Sequence, residues 1–168
     1  MPRLLTCAAV LAAAIALAAC GSSTDDTPAA AAAWSSTVEV RHVDGVGDVL
    51  VDSTGHALYT SDQEAGGKIR CTDGCTSFWL PLDPGSGTPT AADGVAKLGV
   101  IRRPGGDRQV TMDGKPLYSF SEDTPGKVTG DGFKDEFDGR TFTWNVVVAG
   151  GGQSDAAAGG GRSGGYDY

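Results

Sequence analysis

Two cysteines with three residues between them, in Cys71-Thr72-Asp73-Gly74-Cys75, are the sharpest chemical signal in the chain. Thiols at this spacing can close a small disulfide ring, cycle as a redox couple or contribute to a metal site. Redox motifs usually space their cysteines as C-x-x-C, one residue shorter than here. A metal site wants further His or Cys nearby, and the only histidines are His42 and His56, in unrelated contexts. The Asp-Gly pair helps the backbone turn back between the cysteines. In an oxidising compartment the leading reading is a disulfide, contributing only about 2 kcal/mol through so short a ring.

A second pattern is Tyr118-Ser119-Phe120-Ser121-Glu122-Asp123, two aromatics on one strand face followed by a carboxylate. A phenol and a carboxylate can bind a ligand together. They can equally serve the fold, the hydroxyl bonding locally and Asp123 capping the following turn. Tyr59 and Glu64 form a looser copy upstream. The candidate binding residues are therefore Tyr59, Glu64, Tyr118, Phe120 and Asp123. Asp131, Asp135, Glu136 and Asp138 crowd a single loop but lack the oxygen spacing of an EF-hand, with Phe133 where its second ligand belongs. A solvated acidic loop is expected there, with neither metal nor cofactor. Outside the Gly-rich tail, no Gly-x-Ser-x-Gly elbow, His-Glu-x-x-His, P-loop or dinucleotide fingerprint occurs, so no catalytic residue is assigned and the chain reads as a non-enzyme.

The elements that must position these residues read as β throughout. Gln109-Val110-Thr111-Met112, Asp113-Gly114 and Lys115 to Phe120 make a strong hairpin signal. Val49-Leu50-Val51, a turn through Ser53-Thr54-Gly55, and Ala57-Leu58-Tyr59 make a second. Val38 to Arg41 and Phe142 to Val146 alternate as half-buried strands do, and Lys97 to Arg102 is a further strand. One helical turn is expected near Cys75 to Trp79. Shifting the chain by 59 residues lays Gly55, Leu58, Tyr59, Gly67 and Lys68 on Gly114, Leu117, Tyr118, Gly126 and Lys127 without a gap. Each copy later reaches a tryptophan, Trp79 or Trp144. The expected fold is all-β, a small domain of two degenerate hairpin-based repeats, about 46–82 and 105–148.

The 168 residues carry 13 Lys and Arg against 21 Asp and Glu, a net charge of -8. That excludes general nucleic-acid binding and polybasic attraction to anionic lipid. Leu4 to Leu17 is an apolar run behind Arg3, too short to span a bilayer and of signal-peptide length. Leu17-Ala18-Ala19-Cys20-Gly21 resembles a bacterial lipobox: small residues fit the peptidase groove, and the Cys20 thiol takes a diacylglyceryl group. Further acylation with palmitate-class chains gives stable anchoring, where a single chain is marginal. The expected organisation is a signal peptide at 1–19, lipidated Cys20 and a flexible tether at 20–35, a β domain at 36–149, and a disordered Gly-rich tail at 150–168.

Taken together, Gly55-x-x-Leu58-Tyr59, Cys71-x-x-x-Cys75-x-x-x-Trp79-x-Pro81-Leu82, Arg102, Gln109-Val110 and Gly114-x-Pro116-Leu117-Tyr118-x-Phe120-x-x-Asp123 resemble a family of bacterial secreted-repeat lipoproteins. The family is marked by a Tyr-x-aromatic-x-x-Asp motif, and the resemblance covers about residues 46 to 148. Tyr118, Phe120 and Asp123 fit the motif in full. The first copy departs from it, with Ser61 for the aromatic and Glu64 for Asp, and Leu80 replaces a usual Pro. The resemblance implies fold and location rather than an activity.

The expectation is a monomeric, non-enzymatic binding or interaction module, lipid-anchored to the cell membrane on its extracytoplasmic face. Its partners would be the membrane, through the anchor, and an envelope ligand or protein met at the Tyr59/Glu64 and Tyr118/Asp123 hairpins. The rival is a redox accessory lipoprotein using Cys71 and Cys75, with Lys68 and Arg70 favouring a lowered thiol pKa and Asp73 opposing it.

Overall fold

The computed structural model describes residues 35–150. The signal peptide, Cys20, the tether and nearly all of the Gly-rich tail lie outside the described residues. The strands in chain order are β1 (Thr37–Val43), β2 (Gly47–Val51), β3 (Tyr59–Ser61), β4 (Trp79–Pro81), β5 (Thr90–Ala91), β6 (Leu98–Arg102), β7 (Arg108–Met112), β8 (Lys115–Pro116), β9 (Tyr118–Phe120), β10 (Lys134–Phe137) and β11 (Arg140–Val146). They form three sheets, ordered β2-β1-β5, β10-β11-β3-β9-β4 and β6-β7-β8. Two short 3-10 turns, Asp62–Glu64 and Asp73–Ser77, complete the regular structure. The second starts two residues ahead of the helical turn that the sequence suggests. Among the described residues no helix is long and apolar enough to cross a membrane.

The hairpin at Asp113-Gly114 forms as its residue types demand. Both turn positions have positive φ, 49° and 81°, the pair a type I′ turn requires and that Asp and Gly tolerate best. The strand after the turn is shorter than expected. Lys115 and Pro116 pair with β7, but Tyr118 to Phe120 join a different sheet. The break falls at Leu117, whose N–H donates to Val110 O while its carbonyl accepts Leu82 N and the Gln109 amide. Leu58 repeats this junction, donating to Leu50 O and accepting from Val147 N.

The five-stranded sheet exposes the duplication directly. Tyr59 and Tyr118 lie opposite each other where β3 meets β9. On one side Trp144, Asn145 and Val146 pair with Ser61, Thr60 and Tyr59. On the other, Trp79, Leu80 and Pro81 pair with Phe120, Ser119 and Tyr118. Each copy's tryptophan strand therefore pairs with the other copy's tyrosine strand, and the repeats interlock.

Two buried clusters result, because adjacent residues on a strand face opposite ways. Leu58 and Leu117 enter one cluster with Val38, Leu50, Val110 and Met112. Tyr59 and Tyr118 enter the other, with Trp79, Trp144, Phe120, Phe142 and both cysteines. The candidate residues belong to this second cluster or line it.

Candidate functional site

All five candidate residues are brought together, and all five are buried, Phe120 at 4% and Asp123 at 5% exposure being the most open. β3 and β9 supply the tyrosines, and the turns that follow supply the carboxylates. The pairing is crossed between copies. Tyr59 Oη donates to Asp123 Oδ2 at 2.5 Å and accepts from Gly130 N at 3.3 Å. Asp123 Oδ1 accepts from Thr129 N at 2.8 Å and Thr129 Oγ1 at 2.6 Å. In the other copy, Glu64 Oε1 accepts from Arg70 N at 2.5 Å and Cys71 N at 2.7 Å. Each carboxylate thus ties down the loop that follows it, six residues on. The sequence suggested Tyr59 with Glu64 and Tyr118 with Asp123; exchange of the central strands sets each tyrosine against the other copy's carboxylate.

Glu64 Oε2 is buried without a hydrogen bond of full geometry, and the phenol it acts on is that of Tyr118. Burial raises the Tyr118 pKa above the usual tyrosine value, and the Glu64 charge adds to the shift. Arg103 opposes it from the other side, with Nη1 3.4 Å from the Tyr118 hydroxyl and its guanidinium carbon 5.9 Å from the ring centre. Burial, then the Asp123 charge, raises the Tyr59 pKa further still. Both phenols therefore hold their protons, a poor state for nucleophilic or general-base work at neutral pH.

Arg103 is the residue that the motif reading missed, since Arg102 is the neighbour it singled out. Arg102 is exposed and bonds the Gly106 carbonyl at 3.1 Å. Arg103 instead donates to Gln109 Oε1, and to Cys71 O at 2.5 Å, linking the β6–β7 turn to the cysteine loop of the first copy. Strand alternation from Gly99 through Ile101 puts Arg103 on the opposite face from Arg102, a signal present in the sequence.

Trp79 and Trp144 stack with ring centres 4.0 Å apart and planes 10° from parallel. Both indole N–H groups converge on Asp135, at 2.7 Å to Oδ2 and 3.0 Å to Oδ1. Burial raises the Asp135 pKa, and the two indoles work against that rise. Asp131 Oδ1 accepts from Val146 N at 2.9 Å. The expected solvated acidic loop is therefore not what forms: Asp135 and Glu136 lie in β10, and Asp131 and Asp135 are committed to holding β11 and the tryptophan pair. Among the described residues no cluster of His, Cys, Asp and Glu is placed to hold a metal ion.

Cys71 and Cys75 form a disulfide with Cα atoms 5.3 Å apart, and both residues are fully buried. Beside them opens a cleft of about 1000 Å³ lined by Arg102, Arg103 and Arg108 together with Asp73, Asp83 and Asp107.

Residues 99–140 match a family described as a secreted repeat of unknown function. No curated protein and no solved structure matches the chain. The matched stretch contains Arg103, Tyr118, Phe120, Asp123 and Asp135. Tyr59, Glu64, both cysteines and both tryptophans come from outside it, so the cluster is completed by the rest of the domain.

Proposed function

We propose that the protein is a non-enzymatic interaction module, held to the extracytoplasmic face of the cell membrane by acyl chains on Cys20. The observation that carries the reading is the crossed Tyr59–Asp123 bond. The motif's polar atoms are spent joining two copies into one rigid unit, which suits a display scaffold better than a reaction site. The secreted-repeat match supports an extracytoplasmic setting. The motif side chains lie beneath the surface, so contact with a partner falls to the exposed strands and clefts that the lock holds in place.

The redox reading has the disulfide in its favour, but exchange needs an accessible sulfur, and neither cysteine is exposed.

The test expresses the full chain in a bacterium and partitions membranes into detergent. The native chain should enter the detergent phase and be cleaved by protease added outside the cell. Cys20→Ala should appear in the aqueous phase. A native chain that stays aqueous, or that external protease cannot reach, overturns the reading.

A further inference from the structure

The first half of the fold covers a sheet edge whose counterpart in the second half no described strand covers. β1 lies between β2 and β5; Thr90 N donates to Ser36 O and Ala92 N to Val38 O, both at 2.9 Å. β6 is the counterpart of β1. Val100 pairs with Val110 as Val40 pairs with Leu50, and Leu50 N and Val110 N make matching bonds to Val147 O and Leu82 O. Beside β6, no described strand stands where β5 stands beside β1.

The open groups follow from the register. Asp113 N donates to Lys97 O and Arg103 N to Asp107 O, so the odd-numbered residues of this segment face β7. The N–H and C=O groups of Leu98, Val100 and Arg102 therefore face outward. Lys97, Val100 and Arg102 are exposed, and Val100 is one of two large apolar residues so exposed among those described. An edge of this kind is a template for another strand. β5 runs parallel to β1. A strand placed likewise on β6 would run from Leu98 towards Arg102, bringing its C-terminal end to the cleft that Arg102, Arg103 and Arg108 line together with Asp73, Asp83 and Asp107. Among the described residues none of these arginines is within salt-bridge distance of a carboxylate.

We propose that the β6 edge takes up an extended peptide from another envelope protein, parallel to β6, with a free carboxylate or acidic side chains at its C-terminal end. The proposal rests on reading the chain as an extracytoplasmic interaction module, and it names the partner. Main-chain bonds to Leu98, Val100 and Arg102 supply the binding, and the arginines select an anionic end. Two other occupants fit less well. A second copy paired about Val100 would set Lys97 against Arg103, like charge to like. The chain's own Asp155-Ala156-Ala157 stands at the right offset, but Arg162 follows and would carry a cation towards the arginines.

The experiment selects a display library of random ten-residue peptides with free C-termini against the full chain. Hydrogen exchange is then followed with the selected peptide. Expected are sequences acidic at the C-terminal end and slowed exchange at the Leu98, Val100 and Arg102 amides. Arg102→Ala should weaken binding about tenfold. Val100→Pro should abolish it while keeping the melting temperature, because that N–H faces away from β7. No enrichment, or equal selection by Val100→Pro, overturns the proposal. So does protection of the same amides without peptide: concentration-independent protection would assign the edge to the chain's own tail, and concentration-dependent protection to a second copy. These measurements use purified protein, so their failure is separate from a failure of membrane anchoring.

Discussion

Tyr59 and Asp123, 64 positions apart, meet through a 2.5 Å hydrogen bond that joins the first copy of the repeat to the second. Asp123 also accepts two bonds from Thr129 and so fixes the loop that delivers Gly130 to Tyr59. Removing one partner leaves a buried polar group without its bond. Tyr59→Phe should cost about 1–3 kcal/mol, and Asp123→Asn at least as much, by urea unfolding. The double variant should fall short of the sum, since both act on one bond. Strict additivity would show that the bond does not couple the copies.

The raised tyrosine pKa values imply alkaline sensitivity. A folded-state pKa above the ordinary 10.0 means that the folded state keeps a proton the unfolded chain gives up. This contribution to stability is complete below 10.0 and is lost as pH rises beyond it. Phenolate absorbance from Tyr59 and Tyr118 should therefore emerge only together with unfolding. A smooth ionisation of both in the folded state would contradict the burial described.

Asp135 has the same sign at the acid end. Its pKa is raised from the ordinary 3.8, so its contribution is complete below that value and declines as pH rises through the raised folded value. Asp135→Asn offers one oxygen to two indole donors and should cost about 1–3 kcal/mol. The advantage of the native chain over this variant should shrink as pH rises from 3.8 through the raised folded value. Growth of the advantage as pH rises above 3.8 would mean that the indole bonds outweigh burial.

Gly130 sits where a side chain has no room. A Cβ there would lie 2.8 Å from Trp79 Cη2 and 3.2 Å from both Phe120 and Tyr59. Gly130→Ala should destabilise by about 1–3 kcal/mol through overpacking. It should also disturb the near-ultraviolet signal of the stacked tryptophans. An unchanged melting temperature would show that the cluster yields freely.

The buried disulfide should behave as a staple. Thiol trapping across glutathione and dithiothreitol buffers should place its potential below about −300 mV. Replacing both cysteines with serine should lower stability by about 2 kcal/mol or more, the ring entropy setting the lower figure. A potential near −200 mV would reopen the redox reading.

Local chemistry was legible where it acts locally. Asp113-Gly114 encodes its turn through positive φ, the Gly55 and Gly114 copies reveal the repeat, and the alternation of Phe142 to Val146 encodes a strand. The spacing of Cys71 and Cys75 leaves several chemistries open, and an oxidising compartment narrows them towards the disulfide. The exchange of partners between copies was not legible, because each copy reads identically whether its tyrosine faces its own carboxylate or the other's. Asp135 was hidden for a similar reason. Its role depends on two indoles, one from each copy, and inside an acidic run its residue type points to solvent.

The sequence by itself determined the all-β character and the duplication, because turn chemistry and side-chain period act over a few residues. Only the tertiary structure decided that β4 pairs with β9 and β11 with β3, that Tyr59 meets Asp123, and that no described strand covers the β6 edge. The physical reason is that long-range strand pairing is chosen by joint burial. Once Leu58 and Leu117 face one cluster and Tyr59 and Tyr118 the other, the tryptophan strands reach those tyrosine strands by crossing between copies.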